Sequence, residues 1–190
     1  MYNRRFPFHH TPASGKRLDF IRIMIAIIAE KPSVGQEIAR VVGATEKKDG
    51  YITGNGYMVT WALGHLVSLA LPGTYGYTRT TAEDLPMLPE PFRLVERQIR
   101  TDRGMVTDIA AGRQLKVIGE VLAGCESIIV ATDAGREGEL IFRWIYSYLG
   151  CTKPFKRLWI SSLTDEAIRE GMANLREGSG YDSLYAAADS

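Results

Sequence analysis

Residues 127–140, SIIVATDAGREGEL, decide how the rest of the chain is read. Ser127–Thr132 is an apolar run of strand length, as expected for a strand buried on both faces of a sheet. From Gly138 the period changes. Leu140, Ile141, Trp144, Ile145 and Tyr148 recur as the apolar face of a helix ending near Leu149. At the junction sits a knot of charge, Asp133, Arg136, Glu137 and Glu139, interrupted by Gly135 and Gly138. Alternation of strand and helix implies a parallel α/β sheet, and such sheets collect their ligands beyond the carboxyl ends of the strands.

Working outward, the same alternation returns. Met24–Ala29 is a second buried strand, closed by Glu30. Pro32 and Ser33 open a helix with Ile38, Val41 and Val42 at helical spacing, ending near Gly43. Residues 50–67, GYITGNGYMVTWALGHLV, predict two strands about the hairpin signal Gly54-Asn55-Gly56. Residues 71–92 contain Pro72, Pro86, Pro89 and Pro91 and predict a long irregular connection. Gln114–Ala123 reads as a helix and Phe155–Ile160 as a third core strand. Thr164, followed by Asp165 and Glu166, opens a last helix, because a hydroxyl cap and early acids suit a helix N-terminus. The expected fold is α/β and Rossmann-like, with a mainly parallel sheet flanked by helices.

The composition is that of an ordinary globular chain: 190 residues, 45% apolar and 24% charged. Cys125 and Cys151 are 26 positions apart and outside CxxC spacing, so two reduced thiols are expected rather than a zinc site or a disulfide framework. No apolar run approaches the ~20 residues of a membrane helix, so no membrane partner is expected. The net charge of +1 hides an asymmetry: residues 1–23 carry +4 and the remainder −3. Nucleic acid would therefore have to be held by placed side chains rather than by a general positive field. Residues 1–23, punctuated by Pro7, Pro12 and Gly15, read as a flexible N-terminal extension, and Met24 is a candidate initiation site.

Glu30 and Asp133 each follow a predicted strand, which is where an α/β sheet keeps its chemistry. Asp133 and Glu137 lie four residues apart across a strand end and a helix start. Carboxylates converging there would form a hard oxygen site suited to Mg²⁺. Taken singly, each acid is better read as a helix cap or a solvated charge. The chain has neither GxxxxGK[ST] nor a GxGxxG after its first strand, so no nucleotide cofactor is expected. Lys31 reads as a solvated lysine, His65 as a polar strand-end residue, and Arg157 as a partner for phosphate or for an acid. Trp61, Trp144 and Trp159 read as core or semi-core.

AEKPS (29–33), GHL (64–66), DLPMLPEPF (84–92), ATDAGREGEL (131–140) and RLWISSLTDEAI (157–168), in this order, resemble the type IA DNA topoisomerases, most closely the bacterial topoisomerase III group. The resemblance runs from Met24 to the end. It implies a Toprim domain over 24–163, with 164–190 a helix and the start of the next domain. It also implies a cytoplasmic, nucleoid-associated bacterial protein acting on DNA, with preference for single-stranded segments. Members of this family cut one strand through a 5′-phosphotyrosine and reseal it without ATP. By resemblance, Glu30 transfers a proton to the leaving sugar oxygen and belongs to the Mg²⁺ site with Asp133 and Glu137. Lys31 and Arg136 lie at the scissile phosphate, and His65 at the DNA-binding face.

The departure from the family's Asp-x-Asp-x-Glu motif is Gly135, which stands where the second aspartate would. Water is expected in that place, because Mg²⁺ keeps several waters readily. Glu139, two positions from Glu137, is expected to face away from the site. None of the nine tyrosines stands in the family's nucleophile motif, so the chain is expected to be an amino-terminal fragment that does not relax DNA alone. A Toprim nuclease or primase domain, a non-catalytic nucleic-acid-binding module and a small-molecule α/β domain stay open as alternatives.

Overall fold

Ile25–Ala29 (β1) lies at the centre of the molecule because its side chains are apolar on both faces: from Ala26 to Ala29 none is exposed to solvent. The structure, a computed structural model, describes residues 23–77, 89, 91–102 and 104–186. The predicted extension 1–23 lies outside these residues apart from Ile23, as do 78–88 and 90 of the long connection.

After β1 come α1 (Pro32–Val42), β2 (Glu46–Lys48), β3 (Tyr51–Gly54), β4 (Tyr57–Trp61) and β5 (Val67–Leu69). A 3₁₀ turn at Pro72–Tyr75 precedes β6 (Leu94–Glu96), β7 (Gln98–Thr101) and β8 (Gly104–Thr107). The chain continues through α2 (Ile109–Ala123), β9 (Ser127–Ala131), α3 (Arg136–Tyr148), β10 (Phe155–Arg157), α4 (Asp165–Ala173), β11 (Arg176–Glu177) and α5 (Asp182–Ala186). Among the described residues the main sheet has seven strands in the order β11-β10-β9-β1-β4-β3-β2. β10, β9, β1 and β4 are parallel, while β11, β3 and β2 pair antiparallel at the margins. β5–β6 and β7–β8 form separate two-stranded ribbons. Among the described residues no helix is long and apolar enough to cross a membrane.

Alternation along the central strands builds a three-layer sandwich. Ala26 and Ile28 of β1 and Ile128 and Val130 of β9 pack with Leu115 and Ile118 of α2 and Phe142 and Ile145 of α3. Ile27 and Ile129 point the other way, toward Ile38 of α1 and Ile168 of α4. Arg40 and Asp165 pair on the surface between α1 and α4.

The hairpin forms as expected, with Asn55 at φ 50° and Gly56 at φ 83°, the left-handed values a tight turn between twisted strands requires. Its second strand then pairs in parallel with β1, which joins the hairpin to the core sheet. Two expectations need correction. The helix expected from Gln114 starts at Ile109, because Asp108 caps it by accepting from the N–H groups of Ala110 and Ala111. The strand expected over Phe155–Ile160 pairs only through Arg157, after which the chain leaves the sheet.

Candidate functional site

The site follows from strand register. Ala29 of β1 lies beside Ala131 of β9 on one side and Trp61 of β4 on the other. The residues that follow, Glu30, Thr132–Asp133 and the 62–66 turn, therefore leave the sheet side by side.

Glu30 is largely buried, and its Oε2 accepts the backbone N–H of Asp133 at 3.1 Å. That bond ties the end of β1 to the end of β9. Lys31 Nζ stands 3.9 Å from Glu30 Oε1 and 3.8 Å from Asp133 Oδ2, bridging the two carboxylates at the surface. Asp133 itself is exposed. On the far side, His65 Nε2 and Glu137 Oε1 are 2.6 Å apart, and the His65 ring meets Trp144 edge-on at 5.5 Å. Glu137 lies in the first turn of α3, where the positive end of the helix dipole favours an acid.

The sequence-predicted residues thus fall into two groups. Glu30, Lys31 and Asp133 are together, whereas Glu137 and His65 form a separate pair. Among the described residues no three acid, histidine or cysteine side chains are grouped so as to hold a metal. Arg136 is exposed and makes no ion pair among the described residues. The carboxylates of Glu30 and Asp133, at adjacent strand ends, share the Lys31 ammonium as a cationic partner.

The two glycines of the knot differ in kind. Gly138 packs against the backbone of Asp133: a Cβ there would lie 2.1 Å from the Asp133 carbonyl oxygen. Thr132 Oγ1 donates to the Gly138 carbonyl at 2.6 Å, so helix and strand end are locked at this contact. Gly135 is extended, with φ 177° and ψ 178°, and a Cβ there would meet nothing within 4 Å. The place of the family's second aspartate is sterically open.

Glu139 turns into the core. It is 1% exposed, and Oε1 accepts from Arg143 Nε at 2.8 Å. Its Oε2 lies 3.2 Å from Arg157 Nε without hydrogen-bond geometry, so that contact is ionic. Arg157, also 1% exposed, donates to the carbonyl oxygens of Thr132 at 3.2 Å and Asp133 at 3.0 Å, and to Thr132 Oγ1 at 2.7 Å. Burial pushes its guanidinium below the ordinary value, against the opposing pull of Glu139. The sequence offered Arg157 as a partner for phosphate or acid; it is a buried clamp beneath the Asp133 turn. Trp61, Trp144 and Trp159 are half-buried.

Sequence reasoning did not single out Arg97. Its guanidinium binds the Asp108 carboxylate at 2.6 and 2.9 Å and donates to the carbonyls of Leu63 and His65. The only signal in the sequence is the Asp108 cap, which says nothing about a partner eleven residues earlier.

A family model for the Toprim domain matches residues 25–163. DNA topoisomerase 3 from Bacillus thuringiensis (strain Al Hakam) is 50% identical over 167 residues, covering 85% of this chain and 21% of that protein. DNA topoisomerase 3 from Shouchella clausii (strain KSM-K16) is 48% identical over 165 residues, covering 86% of this chain and 21% of that protein. Full-length topoisomerase I from Thermotoga maritima aligns with a TM-score of 0.49 at 21% identity, covering 80% of this chain and 21% of that one. The chain spans 21% of the length of these curated relatives.

Proposed function

The chain belongs to the Toprim domain family, and from that premise we propose that it carries the acid–base and metal-holding part of a type IA DNA topoisomerase III. The observation that supports this reading best is the meeting of Glu30, Lys31 and Asp133 where β1 and β9 end together. The substrate is DNA, engaged in single-stranded segments. The nucleophilic tyrosine comes from a part of the whole protein outside this chain. In cleavage its oxygen, having lost its proton to solvent, bonds to phosphorus. The bond from phosphorus to the 3′ oxygen breaks, and Glu30 delivers a proton to that departing oxygen. Resealing reverses each step, with Glu30 taking the proton back.

Lys31 and Arg136 bind the scissile phosphate, and His65 binds backbone phosphate nearby. In the free chain Lys31 and His65 are engaged by acids. Phosphate binding draws these two side chains off their acids, and Asp133 and Glu137 would then, with Glu30, hold a divalent cation. Bound there, Mg²⁺ would supply charge stabilisation for the transferring phosphoryl group. Water takes the place beside Gly135.

The test is calorimetric titration of Mg²⁺ and Mn²⁺ into the chain with a short single-stranded oligonucleotide present. Asp133→Asn and Glu137→Gln are each expected to weaken metal binding by tenfold or more, on the order of a lost ligand or close partner. Metal binding indifferent to both changes would overturn the assignment. A duplex competitor that displaces the oligonucleotide at equal concentration would remove the single-strand preference.

One observation favours a second reading. The absence of a ready three-acid group among the described residues suits a Toprim module that binds nucleic acid without metal chemistry. DNA binding that survives chelation and both amide substitutions would select it. Magnesium-dependent hydrolysis of DNA by the chain would select a nuclease instead.

A further inference from the structure

The turn that carries His65 is held from one residue. Gly64 adopts a left-handed conformation with φ 68°, so the carbonyl groups around it cannot join a strand or helix ladder. Arg97 serves two of them, those of Leu63 and His65, through its side chain, and its backbone binds the carbonyl of Leu66 in continuation of the β5–β6 pairing. Its Nη1 donates to Leu63 O at 2.8 Å and to His65 O at 3.1 Å, and its backbone N–H donates to Leu66 O at 2.8 Å. The rest of the guanidinium is fixed by Asp108 Oδ2, which accepts from Nε at 2.9 Å and Nη2 at 2.6 Å. Asp108 is fixed in turn, because its Oδ1 caps α2 and its backbone N–H donates to Arg97 O at 2.8 Å.

A rigid chain of contacts therefore runs from the start of α2 through Asp108 and Arg97 to the 63–66 turn, and ends at His65 Nε2, 2.6 Å from Glu137. The planar guanidinium places Nη1 on two carbonyls while Nε and Nη2 hold the carboxylate; an ammonium has the charge and three donors but not this fixed fork. We infer that Arg97 is a positioning residue that sets His65 against Glu137. It touches neither DNA nor metal in this role and acts through the backbone of the turn. The inference rests on the reading of His65 as a functional group and adds the residue that orients it.

The first experiment reads the contact directly. The chain has three histidines, so the His65 imidazole can be identified by NMR from a His65→Gln spectrum. The shift of its signals caused by Glu137→Gln is then compared in three backgrounds: wild type, Arg97→Lys and Arg97→Ala. The response is expected in wild type, reduced in Arg97→Lys and lost in Arg97→Ala. The second experiment measures affinity for a single-stranded oligonucleotide. Arg97→Ala is expected to weaken it by roughly tenfold, as loss of an orienting outer partner does, and to add nothing in a His65→Ala background.

An Arg97→Ala chain that melts earlier yet keeps the full His65 response would overturn the inference, as would multiplicative losses of affinity in the double variant. Should Arg97→Ala fail to fold, Arg97→Lys decides the matter, since it keeps the charge opposite Asp108. A chain that binds no oligonucleotide refutes the proposed function, while the NMR response still tests Arg97.

Discussion

Two layers of charge lie on either side of the Asp133 turn, and they do opposite things. Above it, exposed Lys31, Asp133 and Glu137 pair at the surface with the largely buried Glu30 and the partly buried His65. Below it, Glu139 and Arg157 are 1% exposed and held by Arg143, Thr132 and the turn's own carbonyls. An exposed ion pair contributes little to stability because water screens it, so its partners can be exchanged for a ligand. A buried pair cannot lose one member without leaving an uncompensated charge. The upper layer is therefore suited to chemistry and the lower one to holding it in place.

The comparison is broken most severely from below. Arg157→Ala or Glu139→Gln is expected to cost about 3–5 kcal/mol, the usual result of removing one member of a buried pair, read by chemical denaturation. Replacing both by methionine should not restore that loss. Arg157 also serves the carbonyls of Thr132 and Asp133, which would stay unpaired.

The two glycines come next. Gly138→Ala is expected to cost about 1–3 kcal/mol, since the backbone of Asp133 must move aside. Gly135→Ala should stay within about 0.5 kcal/mol, because its surroundings are open. Gly135→Asp should fold equally well and bind Mg²⁺ more tightly than wild type, by calorimetry. Equal losses at the two glycines would erase the distinction between a packing contact and an open place.

A smaller effect concerns pH at the Arg97–Asp108 pair. The Arg97 guanidinium holds the Asp108 carboxyl below the ordinary carboxylate range, helped by the N–H groups of Ala111 and Ala110. A depressed folded-state value stabilises the fold above the unfolded value, about pH 4, and the benefit is lost as pH falls through the folded one. Asp108→Asn keeps the cap but should flatten stability against pH below about pH 4, followed by thermal melts. The smallest effect belongs to the upper layer: Glu137→Gln should change stability by less than about 1 kcal/mol while it weakens metal binding.

Much of this was legible in the chain itself, for identifiable reasons. MIAIIA and SIIVAT announce buried strands because both their faces are apolar, and Asn55 with its flanking glycines announces the hairpin. The strands β2, β7, β8 and β11 were not foreseen. They are short and mostly exposed, so burial left no pattern in them. Glu30 and Asp133 were readable as strand-end residues, and the structure joins them through a hydrogen bond and Lys31.

The sequence alone determined the period of each core element, where β1 and β9 end and the acids placed there, because these depend on residues near in the chain. Only the tertiary structure decided what each charge faces. Glu137 and Glu139 are two residues apart on one helix, yet one meets His65 from a turn 72 positions earlier and the other meets Arg157 from the next strand. Burial and pairing depend on which elements pack together, and no local period encodes the identity of a distant partner.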